Sequence, residues 1–257
     1  MTAPPPAPAQ PAPVLQAAGL SKSFGHVTAL HHADLAVGAG QVVALVGDNG
    51  AGKSTMLKIL SGLYSPDTGI VHVHGERATL DSPRGARALG IATVHQDLAL
   101  VEVLDIATNL HLGDVPRKRF LVDRRRMERE SERVLRDLNV RVGSVRTPVG
   151  MLSGGHRQII AISRAVRLES STVVLLDEPT AALGVQETRR VGDIIRGLRD
   201  KGKAVLLISH DMEFVFAIAD HISVLRLGRT VAARRTAATS RDEIIGLITG
   251  SLSGTAA

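Results

Sequence analysis

Gly47-Asp48-Asn49-Gly50-Ala51-Gly52-Lys53-Ser54 is the stretch on which the fold turns. It follows the apolar run Gln41-Val42-Val43-Ala44-Leu45-Val46, and a helix reads across residues 53–61 behind it. The eight residues fit the pattern G-x-x-x-x-G-K-[ST], and a strand before with a helix after is the context which that pattern requires. Glycines let the backbone curl, so that successive N–H groups point inward at phosphate oxygens. The helix start adds the positive end of its dipole. Gly47, Asp48, Asn49, Gly50, Ala51 and Gly52 are therefore expected to form a phosphate cradle. Lys53 is expected to reach the β- and γ-phosphates of a nucleoside triphosphate, and Ser54 to ligate Mg²⁺. Thr55, next along the helix start, belongs to the same set.

Working outward, short aliphatic runs alternate with helical stretches. Strands read at residues 41–46, 91–94, 172–176, 204–208 and 222–225, and helices at 53–61, 153–169, 186–199 and 212–219. Several strands lack polar alternation, as in sheets covered on both faces. This implies an α/β fold with a mostly parallel sheet. Residues 14–37 and 70–80 read as short strands with turns, an antiparallel β side sheet. Within 97–152 the chain reads as helical and charged, a helical insertion between two core strands. The arginines at 124–126, 129, 133 and 136 lie among Glu128, Glu130, Glu132 and Asp137, which reads as a solvated helix face. His72 and His74 would share one face of a side-sheet strand, exposed rather than metal-binding, since no third ligand is near in sequence.

Composition narrows the function classes. At 257 residues the chain holds between one and two domains at ~150 residues each. Six of the eleven prolines lie in residues 1–13, read as a disordered Pro/Ala-rich tail. The folded unit is expected over 14–250, with a helical subdomain at about 97–168 and a flexible tail at 251–257. No cysteine is present, which excludes a disulfide scaffold, a cysteine nucleophile and thiolate metal sites. No apolar run approaches the ~18 residues of a membrane span, and the amino terminus does not read as a secretory signal. A cytoplasmic location is expected. The net charge of +6 would suit an acidic partner, but it rests on 25 arginines against 6 lysines. With Phe24, Tyr64, Phe120, Phe214 and Phe216 as the whole aromatic set, stacking on single-stranded bases is disfavoured.

A second chemical signal closes the strand at 172–176. Asp177 and Glu178 follow it, and acids at the carboxyl end of a buried parallel strand sit in the ligand crevice of such sheets. Asp177 could hold Mg²⁺ and Glu178 could polarise an attacking water as general base.

Leu152-Ser153-Gly154-Gly155-His156-Arg157-Gln158 adds a second anion-binding helix start, from a serine hydroxyl and glycine backbone. This segment resembles the LSGGQ signature of ABC transporter ATP-binding subunits, and it stands 100 residues after Lys53 and 24 before Asp177, where that family places it. The resemblance covers roughly residues 14–250. It implies a P-loop NTPase fold of RecA-like type, with ATP and Mg²⁺ as cofactors. It further implies that Gln96 is the Q-loop glutamine, also near the metal, that His210 is the switch histidine, and that Phe24 stacks on adenine. It implies two copies, or a paired ATPase subunit, each ATP lying between the phosphate loop of one and Ser153, Gly154 and Gly155 of the other. Transmembrane permease subunits would dock near Gln96, at the cytoplasmic face of the membrane, with an extracytoplasmic sugar-binding protein as indirect partner and no nucleic acid. The segments Thr180-Ala181-Ala182-Leu183-Gly184-Val185 and Gln96-Asp97-Leu98-Ala99-Leu100 resemble the monosaccharide-import branch. Two departures stand out: His156 where the family usually has Gln, and Gly184 where most members carry an Asp that couples the two sites.

The rival reading is a non-transport ABC ATPase acting on nucleic acid or ribosomes. Such proteins usually carry two ATPase units or a long coiled coil, and this chain shows neither sustained heptads nor an internal repeat. A P-loop kinase or GTPase would leave residues 153–158 and His210 without a role.

Overall fold

The continuous aliphatic runs become central strands because both of their faces are covered. In the computed structural model, which describes residues 13–167 and 170–253, the elements in chain order are β1 (Pro13–Phe24), β2 (Val27–Gly38), β3 (Val42–Val46), α1 (Lys53–Leu60), β4 (Thr68–Val73), β5 (Glu76–Ala78), α2 (Pro83–Ala88), β6 (Ile91–Val94), α3 (Ile106–Leu110), β7 (Arg117–Lys118), β8 (Leu121–Val122), α4 (Arg124–Asp137), α5 (Gly154–Val166), β9 (Val173–Asp177), α6 (Val185–Asp200), β10 (Ala204–Ile208), α7 (Met212–Ile218), β11 (His221–Arg226), β12 (Arg229–Arg235) and α8 (Arg241–Thr249). The main sheet runs β12-β11-β3-β10-β9-β6. Its four inner pairings are parallel, and β12 closes the edge as an antiparallel partner of β11. On β3, Val42, Ala44 and Val46 face one core, shared with α5, α6 and α7, while Val43 and Leu45 face another, shared with α1 and the side sheet. That period of two, apolar on both sides, is the origin of the unalternating sequence.

The side sheet is antiparallel, in the order β2-β1-β4-β5. Pro13, assigned to the tail from its sequence, opens β1 opposite Gly38. The rest of that tail, residues 1–12, and positions 254–257 of the expected C-terminal tail lie outside the described residues. Ser251 and Leu252 instead fold back on Gly246, the Leu252 N–H donating to its carbonyl at 3.1 Å.

The insertion is not helical throughout. Between α3 and α4 lies a two-stranded hairpin, β7 with β8. Pro116 lacks the N–H a helix would use, and Gly113 and Arg119 take left-handed φ values of 86° and 56°. The insertion keeps its own core of Ile106, Ala107, Leu110, Leu135, Val145 and Val149, into which α5 sends Ile160. The same helix sends Ile159 and Ile162 into the core under the main sheet. One helix thus ties the two lobes and carries residues 153–155 at its start.

Candidate active site

The chain leaves β3 through Gly47 and enters α1 at Lys53, and the turn between them depends on glycine. Gly47 has φ +156° and a Cβ there would meet the Leu225 carbonyl oxygen at 2.1 Å; Gly52 has φ +103° and would meet that of Ala29 at 2.4 Å. Any side chain at either position would push the loop off the sheet. Lys53 folds over this loop, its Nζ donating to the carbonyls of Gly47 at 2.8 Å and Asp48 at 2.9 Å. Burial lowers its pKa, and the neighbouring Glu178, Asp48 and Asp177 carboxylates offset part of that. The ammonium is therefore short of solvation and surrounded by acceptors, as a phosphate ligand should be.

The carboxyl ends of the parallel strands converge on the same spot. A cavity of about 510 Å³ is lined by Gly50, Gly52, Lys53, Ser54 and Thr55 from the loop and α1, Gln96 after β6, Asp177 and Glu178 at the end of β9, and His210 after β10. Val27, Thr28, Ala29, Asn49, Ala181 and Ile208 complete it. Asp177 is 9 % exposed, and its pKa is raised by burial and by the adjacent Glu178. Glu178 is held in a left-handed conformation, φ 49°, by its N–H donating to the Ile208 carbonyl at 3.0 Å. That turns its carboxylate toward His210, whose Nδ1 lies 2.8 Å from Oε2. Two carboxylates one residue apart thus point to different neighbours.

Three groups of sequence-derived candidates sit elsewhere. Gly47, Asp48 and Ala51 shape the loop from behind rather than lining the cavity. Phe24 pairs with Val27 across the β1–β2 turn, so it neighbours the cavity without lining it. Its ring stands edge-on to Tyr64 at 5.3 Å and is 42 % exposed. Ser153, Gly154 and Gly155 are not part of the cavity at all. Ser153 caps α5, its Oγ accepting the His156 N–H at 3.3 Å and lying 2.8 Å from His156 Nδ1. Gly155 is packed under Glu187 of α6, where a Cβ would meet Cγ at 2.1 Å.

Sequence reasoning missed the residues that hold the segment after Gln96. Arg164 of α5 donates to the Ala99 carbonyl at 2.7 Å and the Leu98 carbonyl at 2.6 Å. Asn109, fully buried on α3, accepts the Val101 N–H at 2.8 Å and donates to the Val101, Leu104 and Asp105 carbonyls at 3.0–3.1 Å. No pattern flags either: an Arg and an Asn in helices look like surface residues until the partner backbone is known. Beside this segment lies a cleft of about 270 Å³, lined by Arg87, His95, Leu112, Asp114, Arg164 and Arg167 among others. His74 is exposed, as expected, but lies just past β4 rather than on it, with its Nε2 2.9 Å from Thr172 Oγ1. Among the described residues no cluster of three His, Asp or Glu could hold a metal.

This fold and cavity define a P-loop nucleotide-binding ATPase. The family described as "ABC transporter" matches residues 30–181, and the chain belongs to it. The chain is 42 % identical to the fructose import ATP-binding protein of Rhizobium meliloti, over 93 % of this chain and 94 % of that one. It is 45 % identical to a ribose import ATP-binding protein of Rubrobacter xylanophilus, over 93 % of this chain but 46 % of that one, so it spans about half of that relative's length. A crystal structure of a nucleotide-free ATP-binding cassette from an ABC transporter superposes with a TM-score of 0.78 at 24 % identity, covering 92 % of this chain and 95 % of that one; this shows the common fold.

Proposed function

We propose that the chain is the ATP-hydrolysing subunit of an importer for a monosaccharide, acting as a pair at the cytoplasmic face of the membrane. The sugar class follows the printed names of the fructose and ribose import relatives. The observation that carries the mechanism is a split: Lys53, Gln96, Asp177, Glu178 and His210 share one cavity, while the second phosphate-binding helix start, at Ser153, lies outside it. One nucleotide therefore needs two chains, the phosphate loop of one and Ser153, Gly154 and Gly155 of the other.

Within the cavity Gly50, Gly52 and Lys53 bind the phosphates, and Ser54, Gln96 and Asp177 are the groups that would hold Mg²⁺. A buried, proton-hungry Asp177 suits a cation, and Mg²⁺ with phosphate oxygens needs only one or two protein carboxylates. When bound, Mg²⁺ supplies positive charge against the phosphoryl oxygens. Glu178 takes the proton of the attacking water as the bond to the γ-phosphorus forms and ADP leaves. His210, exposed and hydrogen-bonded to Glu178, orients that carboxylate and meets the γ-phosphate. Phe24 stacks on the adenine from the cavity rim. The permease seats near Gln96, in the cleft beside Arg164, so that movement there reaches both α5 and the catalytic cavity.

Mixing Lys53→Ala and Ser153→Arg chains tests the shared site. Each variant alone has two damaged sites. A mixed pair collects both lesions in one site and none in the other, so ATPase activity returns, with about half of the pairs mixed at random. A mixture that neither hydrolyses ATP nor pairs more than its components would remove the split-site reading.

A further inference from the structure

The β7–β8 hairpin has no part in the site above. Arg117 pairs with Val122 and Lys118 with Leu121, leaving Arg119 and Phe120 as the turn. Turn tips in water are ordinarily built from Gly, Asn, Asp and Ser. Here Phe120 is 97 % exposed, Leu121 77 % and Val122 51 %. A contiguous apolar tip of this kind marks a contact.

Charge identifies the partner. Arg117, Lys118 and Arg119 are exposed beside the tip, as are Arg125 and Arg129 on the following helix. None of the five side chains makes a hydrogen bond or ion pair among the described residues. The neighbouring Arg124, Arg126, Arg136 and Arg146 are paired with Asp105, Glu130, Glu132 and Glu128. Between residues 117 and 129 only Arg124 and Arg126 are paired, so five cations close to the tip in sequence have no side-chain partner among the described residues. The hairpin also starts three residues after Asp114, on the rim of the cleft proposed to seat the permease.

We propose that residues 117–122 are a contact with an anionic lipid bilayer. Phe120, Leu121 and Val122 enter the interfacial region, while Arg117, Lys118, Arg119 and Arg125 sit among phosphate headgroups. An apolar tip in a basic collar matches an interface that is anionic at its plane and apolar beneath. A separate protein socket on the hairpin alone fits less well, because six residues fall far short of the ~1,200 Å² that a stable protein interface buries. The proposal uses the function above only to say which side faces lipid, and its test needs no permease, so the two can fail separately.

The chain has no tryptophan, so Phe120→Trp, at a position free of packing, introduces a single fluorescent reporter. The full chain is mixed with vesicles of phosphatidylcholine plus phosphatidylglycerol, and with phosphatidylcholine alone. The expected result is a blue-shifted emission with the anionic vesicles only, reversed by salt. Lys118→Ala and Arg119→Ala each weaken partition about fivefold, equivalent to ~1 kcal/mol per cation. Leu121→Asp abolishes it without changing the ATPase rate in solution. Emission unmoved by anionic vesicles overturns the proposal, as does equal response to both vesicle types.

Discussion

Replacing Glu178 by Gln should stop hydrolysis and leave ATP binding intact. The change keeps the shape of the side chain and a polar atom within reach of His210, which now lies 2.8 Å from Oε2. The backbone is held by the Glu178 N–H to Ile208 carbonyl bond and the left-handed φ of 49°, neither of which involves the carboxylate, so the loop keeps its form. What is lost is basicity. A positioned general base contributes roughly 10²–10⁴ in rate, or about 2.7–5.5 kcal/mol of barrier, and kcat should fall by that factor. The substitution also removes one negative charge from beside Asp177 and Lys53. Glu178 now raises the pKa of both groups, so the cavity becomes less repulsive to ATP, and affinity should hold or improve. The assay pairs phosphate release under saturating ATP with a measurement of mass in solution. The variant should form an ATP-dependent pair that outlives the wild-type one. A kcat within threefold of wild type would refute the assignment. Loss of ATP binding together with activity would show that Glu178 is needed for binding rather than for the proton.

Further outcomes follow from the same geometry. Asp177→Asn should raise the melting temperature at pH 8 while cutting Mg²⁺-dependent turnover by ~10² or more. Because the Asp177 pKa is raised above 3.8 on folding, the stability linked to this group is full below 3.8 and is lost as pH rises through the folded value, so a neutral residue escapes that penalty; a variant less stable than wild type at pH 8 but not at pH 4 would contradict this. Asn109→Ala strips four buried contacts from the segment at 101–105 and should cost about 2–4 kcal/mol, roughly a 5–10 °C fall in melting temperature. Thermal unfolding within 2 °C of wild type, to take a threshold of about half that fall, would show that water replaces the amide.

Much of the architecture was legible because it is local. The strand at 42–46, the glycine-rich turn and the helix after it are set by backbone rules acting within a few residues, so this strand–turn–helix unit could be read directly. The runs at 173–177 and 204–208 announce buried parallel strands by their lack of alternation, and their acids and histidine follow at the strand ends. Within the insertion the same reasoning failed at residues 117–122. A two-residue turn has too little sequence to outvote the charged helical pattern around it, and only Pro116 and the left-handed Arg119 mark it.

Tertiary structure decided what the groups do to each other. Sequence spacing cannot say that Glu178 turns onto His210 while Asp177 stays buried, because that depends on where the Ile208 carbonyl captures the Glu178 N–H across two strands. Nor can it say that Arg164 and Asn109 clasp the segment after Gln96, since their partners are backbone atoms with no identity in the sequence. Periodicity reports only which face of an element meets apolar neighbours. The separation of Ser153 from the cavity that its chemistry would serve is a property of α5 crossing between two cores, and it is long-range packing that fixes it.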